Sequence, residues 1–359
     1  MTRGALSRQP TVHDVASAAG VSRQTVSNVL NAPGIVKAAT RERVERAIQE
    51  LGYRPHASAR RLRTRKSSTI GIRLDPVTNG ISGAVLDRFL HALTERADAR
   101  GLRILLFTAR DPADEIRQFE RLLDGADVDG FVLTSTTYDD PRIDWLIDND
   151  APFVTFGRPW GVDDIDDAAH RWVDVDGRHG LAEATRALIE LDARRIAYLG
   201  WPSPSGTGDE RCRGWRETME TEGLGPGLSA GELDQLELRS EDGVAQGSDA
   251  IRGLLATGAV VDGVVCASDS LALGALMVLG SSVPIVGYDN TPVASAVGLP
   301  SVEQPLEQVA AAALDLLLES TDGPGAQEQP DPDSAAVIGD PEGPGDPRHR
   351  LLRPAVVWR

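Results

Sequence analysis

The sequence predicts a small all-α helix-turn-helix head followed by an α/β body of two lobes. Three observations lead there. Short amphipathic helical patterns crowd the first 52 residues, with Gly20 between the first two. From Ser67 onward, short apolar runs alternate with helical patterns, the arrangement of parallel sheets with covered faces. Charge divides at the same place. Residues 1–66 hold 13 Lys+Arg and 4 Asp+Glu, a surplus of +9, and the remainder carries −26 within a net charge of −17. An acidic body is repelled by nucleic acid, whereas a basic head is drawn to it.

A chain of 359 residues suits two or three folding units. The opening "MTRGALSRQP" has no apolar run of signal-peptide length, and no stretch approaches the roughly 18 uninterrupted apolar residues of a membrane span. The expectation is a soluble, cytoplasmic protein with no membrane association. Cys212 and Cys266 stand far apart and in no metal-ligand spacing, so free buried thiols are expected rather than a disulfide or a metal site. No cofactor motif is present: HExxH is absent, and neither Lys37 nor Lys66 lies in a phosphate-binding loop.

In the head, Thr11 can cap a helix with an apolar stripe of Val12, Val15, Ala16 and Ala19, and Gly20 suits the positive φ of a tight turn. Ser22 then caps a second helix. On it, Arg23, Gln24, Ser27 and Asn28 span about 140° of surface, opposed by Val26, Val29 and Leu30. A third helix is expected from Thr40, burying Val44, Ala47, Ile48 and Leu51 and stopping at Gly52. A polar helix face of this kind matches base edges in a major groove: Arg forks onto guanine, Gln or Asn onto adenine. Arg23, Gln24 and Asn28 are therefore the candidate base readers. The short polar groups Thr11, Ser22, Thr25, Ser27 and Asn31 suit phosphate oxygens.

"TVHDVASAAGVSRQTVSNVLN" and "TRERVERAIQELGYRPHASARRLRTRKSSTIGI" closely resemble the LacI/GalR family of bacterial transcription regulators. The resemblance covers the head almost continuously. It implies that Arg23, Gln24 and Asn28 read bases of operator DNA, and Asn28 stands where the family often has Arg. In "YRPHASARRLRTRK", Pro55 can open a helix crowded with Arg60, Arg61, Arg63, Arg65 and Lys66, which repel one another unless phosphates neutralise them. The resemblance makes this a hinge helix at about 55–63, with Ala59, Arg60, Leu62 and Arg63 at the minor groove and Leu62 as a wedge between base pairs. His56 stands where the family often has Asn.

In the body, strands are expected at 69–74, 103–107, 130–134, 153–157, 172–175, 195–200, 263–268 and 284–289, with helices among them at 178–191, 209–222 and 305–318. Two lobes with a ligand cleft at the strand C-terminal ends follow. More weakly, this part is similar to the periplasmic-binding-protein type 1 fold, whose chain crosses between lobes three times. That resemblance places lobe one at about 67–191 and 291–319, and lobe two at about 192–290 and 351–359. The Gly-, Pro- and acid-rich stretch 320–350 is expected to be a mobile loop, and "LLRPAVVWR" a last strand. Asp176, Arg211, Asp269 and Asp289 match family effector positions, with Arg211 foremost; carboxylates and a guanidinium suit the hydroxyls of a sugar. Ser268 stands where the family often has Asn. The "TNGISGAV" stretch lacks the aromatic wall that the family places after its first strand. Trp160 and Trp201, at strand ends, can stack on a sugar ring or pack in the core. Asp269 can equally cap a helix beginning at Ser270, and Asp289 can close a turn.

Three rival functions are weaker. "GLSAG" at 227–231 fits GxSxG, but no strand leads into it as a nucleophile elbow requires. Asp174 and Asp176 could mimic a glycosidase pair without other support for hydrolysis. A transport binding protein would share the body but not the basic head. The expectation is thus a homodimeric, non-enzymatic regulator, most simply a repressor, that binds operator DNA and a sugar effector.

Overall fold

The computed structural model describes residues 10–31, 33–53, 66–75, 81, 83–161, 167, 169–223, 229–322 and 346–359. The chain forms two units, residues 1–67 and 68–359.

The head contains α1 (Val12–Ala19), α2 (Arg23–Asn31) and α3 (Ala38–Leu51). Thr11 and Asp14 form a reciprocal capping box that starts α1, and Gly20 ends it at φ 62° in the left-handed region. Val15, Ala16, Ala19, Val26, Val29, Val44 and Ala47 meet in one core, completed by Tyr53. Two expected core positions fall outside it: Leu30 is 36% and Leu51 37% exposed. Each lies in the last turn of its helix. Tyr53, just past the left-handed Gly52, fills the place expected of Leu51. The helix also begins at Ala38 rather than Thr40. The hinge candidates Ala59, Arg60, Leu62 and Arg63 lie outside the described residues.

Two six-stranded sheets build the body. In the first, the order β11-β5-β4-β3-β1-β2 joins β1 (Thr69–Arg73), β2 (Arg103–Phe107), β3 (Gly130–Leu133), β4 (Phe153–Phe156), β5 (Trp172–Val175) and β11 (His349–Leu352), all parallel. In the second, the order β12-β10-β9-β8-β6-β7 joins β6 (Ile196–Gly200), β7 (Glu237–Arg239), β8 (Gly263–Cys266), β9 (Ile285–Tyr288), β10 (Ser301–Glu303) and β12 (Ala355–Val357). Only β12 runs antiparallel within it. In chain order the helices are α4 (Gly83–Ala99), α5 (Pro112–Asp124), α6 (Pro141–Asp148), α7 (Gly177–Glu190), α8 (Gly206–Thr218), α9 (Ala230–Leu236), α10 (Val244–Ala256), α11 (Asp269–Leu279), α12 (Pro292–Ala296) and α13 (Leu306–Asp322).

The chain passes between the sheets three times, at points that correct the sequence assignment. Leu181, Ala184 and Leu188 of α7 pack with β6, β8 and β9, so residues 178–191 belong to the second lobe, not the first. Strand β10 extends that lobe through Glu303, beyond the expected 290. Helix α13 returns to the first lobe, where Val309, Leu314 and Leu317 pack with Ile70, Val132 and Val154. The expected single C-terminal strand is two, one in each sheet. Pro354 lies between them and has no N–H to give a ladder. Both ends of the stretch expected as a loop at 320–350 are in regular structure: α13 runs to Asp322 and β11 begins at His349. The rest of that stretch, residues 323–345, lies outside the described residues. Cys212 and Cys266 are buried and unbridged.

Candidate nucleic-acid interface and effector site

The sequence makes α2 a helix with one locked side. Val26 and Val29 sink into the head core, leaving Arg23 and Gln24 exposed and Asn28 half-buried. Ser22 Oγ accepts from the Thr25 backbone N–H at 3.1 Å and so starts the helix. The Ser22 and Thr25 hydroxyls also touch at 2.9 Å. Gln24 Nε2 donates to Asn28 Oδ1 at 3.0 Å. This i,i+4 link holds two amide side chains on one face, leaving the Gln24 oxygen and Asn28 nitrogen as a matched acceptor and donor. Thr11 is placed differently. Its hydroxyl donates to Asp14 Oδ2 at 2.7 Å, so its first role is to begin α1. Ser27 is half-buried on α2. Asn31 ends α2, and its side chain lies outside the described residues.

In the body, strand C-terminal ends from both sheets converge at the junction of the lobes. Arg211, on α8, is only 4% exposed. Its Nη1 donates to the Ala267 carbonyl at 2.5 Å, and its Nη2 lies 3.9 Å from Asp289 Oδ1. The guanidinium stacks 3.5 Å from the Tyr288 ring centre and 5.2 Å from that of Trp201, geometry that favours a cation. Asp289 takes φ 102°, a costly conformation for a residue with a Cβ. Its carboxylate accepts from Gln304 Nε2 at 2.7 Å. Burial pushes that carboxyl up to about 7, against the pull of Arg211 and Gln304.

Asp176 follows β5 and caps α7, accepting from the His179 N–H at 2.9 Å. Trp160, expected as a possible sugar platform, is buried: a Cβ built on Gly206 would lie 2.1 Å from its ring. The indole of the first lobe thus rests on the N-terminus of α8 in the second. Trp201 is half-buried, and its Nε1 donates to Asp242 Oδ1 at 3.3 Å. Ser268 is the true cap of α11, a role the sequence allowed to Asp269; its hydroxyl also reaches Asp242. Asp269 instead accepts from the Thr291 N–H and the Ser301 hydroxyl, each at 2.6 Å. Ser268 and Asp269 are therefore occupied with holding loops of the second lobe in place.

Sequence reasoning missed several residues here. Arg158, after β4, donates to Asp174 at 2.8 Å and reaches across to Glu210 of α8 at 3.4 Å. Its guanidinium lies over Trp160 at 4.8 Å. Asp174, considered above as a hydrolytic carboxylate, is buried in this ion pair. Tyr288, Asp242 and Gln304 were also missed. The one available signal was position: each sits at or just past a strand C-terminus.

Family models match the chain at residues 11–56, as the lacI family of bacterial regulatory proteins, and at residues 86–314, as periplasmic binding proteins and the sugar binding domain of the LacI family. The HTH-type transcriptional regulator CelR of Thermobifida fusca is 37% identical over 339 residues, covering 88% of this chain and 93% of CelR. A solved transcriptional regulator CelR–cellobiose complex is 30% identical with a TM-score of 0.64, covering 98% of this chain and 99% of that one. The lac repressor dimer bound to operator and the anti-inducer ONPF shares the fold, at 24% identity and a TM-score of 0.74, covering 98% of each chain. These relatives are regulators rather than enzymes, and among the described residues no helix is long and apolar enough to cross a membrane. With a helix-turn-helix head, a two-sheet body and matches across both, the chain belongs to the LacI family of DNA-binding transcription regulators.

Proposed function

We propose that this protein is a cytoplasmic, homodimeric repressor that holds operator DNA with paired heads and lets go or tightens when a sugar occupies the lobe junction. The observation that carries the DNA half is α2: its apolar side is locked in the core while Arg23 and Gln24 are exposed on the opposite face. Asn28 completes the reading face, and Ser22, Thr25, Ser27 and Asn31 are suited to the flanking phosphates. Thr11 contributes through the start of α1. The effector half rests on Arg211, Asp289, Asp176 and Trp201 gathered at one junction, with Trp160, Ser268 and Asp269 supporting them. The solved transcriptional regulator CelR–cellobiose complex, to which this chain is similar, supports a sugar as the ligand class. The effector is bound and released unchanged, and coupling between the two sites amounts to about 1–3 kcal/mol and acts in both directions.

Selection from random oligonucleotides tests the DNA half, and the expected product is a pseudo-palindromic site. Arg23→Ala or Gln24→Ala should then relax preference at particular base pairs, costing about 1–3 kcal/mol there. Equal weakening on every sequence would remove both residues from base reading. For the effector half, Arg211→Ala should abolish the thermal shift that a saccharide produces while leaving operator affinity intact. An unchanged saccharide Kd in that variant would take Arg211 out of the site.

A further inference from the structure

We infer that the effector is an uncharged, hydroxyl-rich molecule, and that the lobe junction rejects phosphorylated and acidic sugars. This rests on the effector reading above and narrows it.

The first argument is charge. Both guanidiniums at the junction are already matched. Arg158 has Asp174 at 2.8 Å and Glu210 at 3.4 Å, with Asp176 close enough to act on it electrostatically. Arg211 has spent Nη1 on a carbonyl, has Asp289 at 3.9 Å, and is sandwiched by two aromatic faces. Asp242 adds a further carboxylate beside Trp201. Burial draws Asp289 toward its neutral form. Even without it, Asp174 acts on Arg211 as well as on Arg158. The neighbouring Arg213 is paired with Glu210, and Arg239 with Asp209 and Glu237, so with Asp176 and Asp242 the carboxylates at least equal the arginines. A phosphate or carboxylate entering here would find no cation to spare and would be repelled at low effective dielectric.

The second argument is hydrogen bonding. Trp160 Nε1, Arg211 Nε and Tyr288 Oη are buried and have no partner among the described residues. Such orphaned groups are costly unless something accepts from them. The neighbouring carboxylates, conversely, call for O–H donors. A hydroxyl both donates and accepts, so a polyol satisfies both sets at once. A phosphate dianion accepts only, and it would leave the carboxylates facing one another across it.

The test uses the full chain and titration calorimetry with cellobiose and maltose, their 6-phosphate esters, and the corresponding aldonic acids, at matched ionic strength. Operator binding is measured on the same preparation. A neutral saccharide should bind, with its phosphate ester about a hundredfold weaker or more. Glu210→Gln, which removes one of the charges balancing Arg158, should narrow that gap about tenfold. An ester as tight as its parent, or a gap unmoved by Glu210→Gln, overturns the charge argument and leaves the saccharide reading standing. Should no saccharide of either class bind while operator is still bound, the saccharide reading itself fails and this inference falls with it.

Discussion

Replacing Arg142 by methionine is expected to destabilise the body by about 3–5 kcal/mol, the usual cost of removing one partner from a buried charge cluster. Arg142, at the start of α6, is 2% exposed. Its guanidinium donates to Glu115 at 2.9 Å, to both oxygens of Asp140 at 2.9 and 2.6 Å, and to the carbonyl of Ser135 at 3.1 Å. Methionine fills much of the volume but leaves two buried carboxylates without that cation, and Arg73, 3.2 Å from Glu115, can serve only one of them. Burial already holds the Glu115 carboxyl above its ordinary range with Arg142 and Arg73 opposing. In the variant Glu115 moves further up, and Asp140, whose carboxyl Arg142 holds below its ordinary range against the effect of burial, rises as well. The folded variant therefore binds more protons than the folded parent, and its deficit grows as pH rises. The deficit should be complete at pH 8 and smaller at pH 5. Urea unfolding at both values checks this; a loss under about 1 kcal/mol, or one that grows on acidification, would show that the cluster is not held by its arginine. The same cluster shapes the loop after β3, where Ser135 donates to Asp75 at 2.8 Å.

Gly214→Ala should cost about 3 kcal/mol, at the upper end for overpacking, and weaken effector binding along with it. A Cβ at Gly214, on α8, would lie 2.0 Å from the carbonyl oxygen of Arg178 and 2.8 Å from its carbonyl carbon, on α7. Both are backbone atoms of packed helices, so neither can swing aside and the helices must part. Helix α8 also carries Arg211, and a Cβ at Gly177 would sit 3.0 Å from Arg211 Cγ. Moving the helices apart thus displaces the guanidinium from Tyr288 and Asp289. Gly253→Ala is the control: it lies in α10 with nothing within 4 Å of its Cβ, and should be neutral or stabilise by up to about 1 kcal/mol. Thermal unfolding of the two variants beside the parent checks both. Indistinguishable behaviour would mean that the α7–α8 contact yields at little cost.

The head was readable because its signals are local. A cap, a left-handed glycine and a 3.6-residue stripe each act within a few residues, so Thr11, Gly20, Ser22 and Gly52 take the places that their chemistry suggests. Helix ends were less readable. Leu30 and Leu51 lie near the apolar stripes of their helices, yet remain partly exposed, because how much of a last turn is covered depends on the neighbouring helices and not on its own stripe. The eight strands expected in the body all form. Of the four that were not separately recognised, β7 (ELR), β10 (SVE) and β11 (HRLL) carry charged or polar residues in place of the apolar run that marks equally short strands such as GVVC and IVGY, and β12 shares with β11 the stretch expected as a single strand.

For the site, the family resemblance marked Arg211, Asp176 and Asp289 as effector positions, but could not tell which would meet. Arg158 and Glu210 are 52 positions apart in the chain and 3.4 Å apart in space, a pairing that no spacing rule contains.

Taken alone, the amino-acid order determined that a basic three-helix head precedes an acidic, alternating α/β body, because helix caps, periodicity and charge are properties of neighbouring residues. Only the tertiary structure decided which lobe α7, β10 and the C-terminal strands join, and that the guanidiniums of the lobe junction are already neutralised by carboxylates. Those outcomes depend on which faces of distant segments bury one another, and burial is a property of the assembled core.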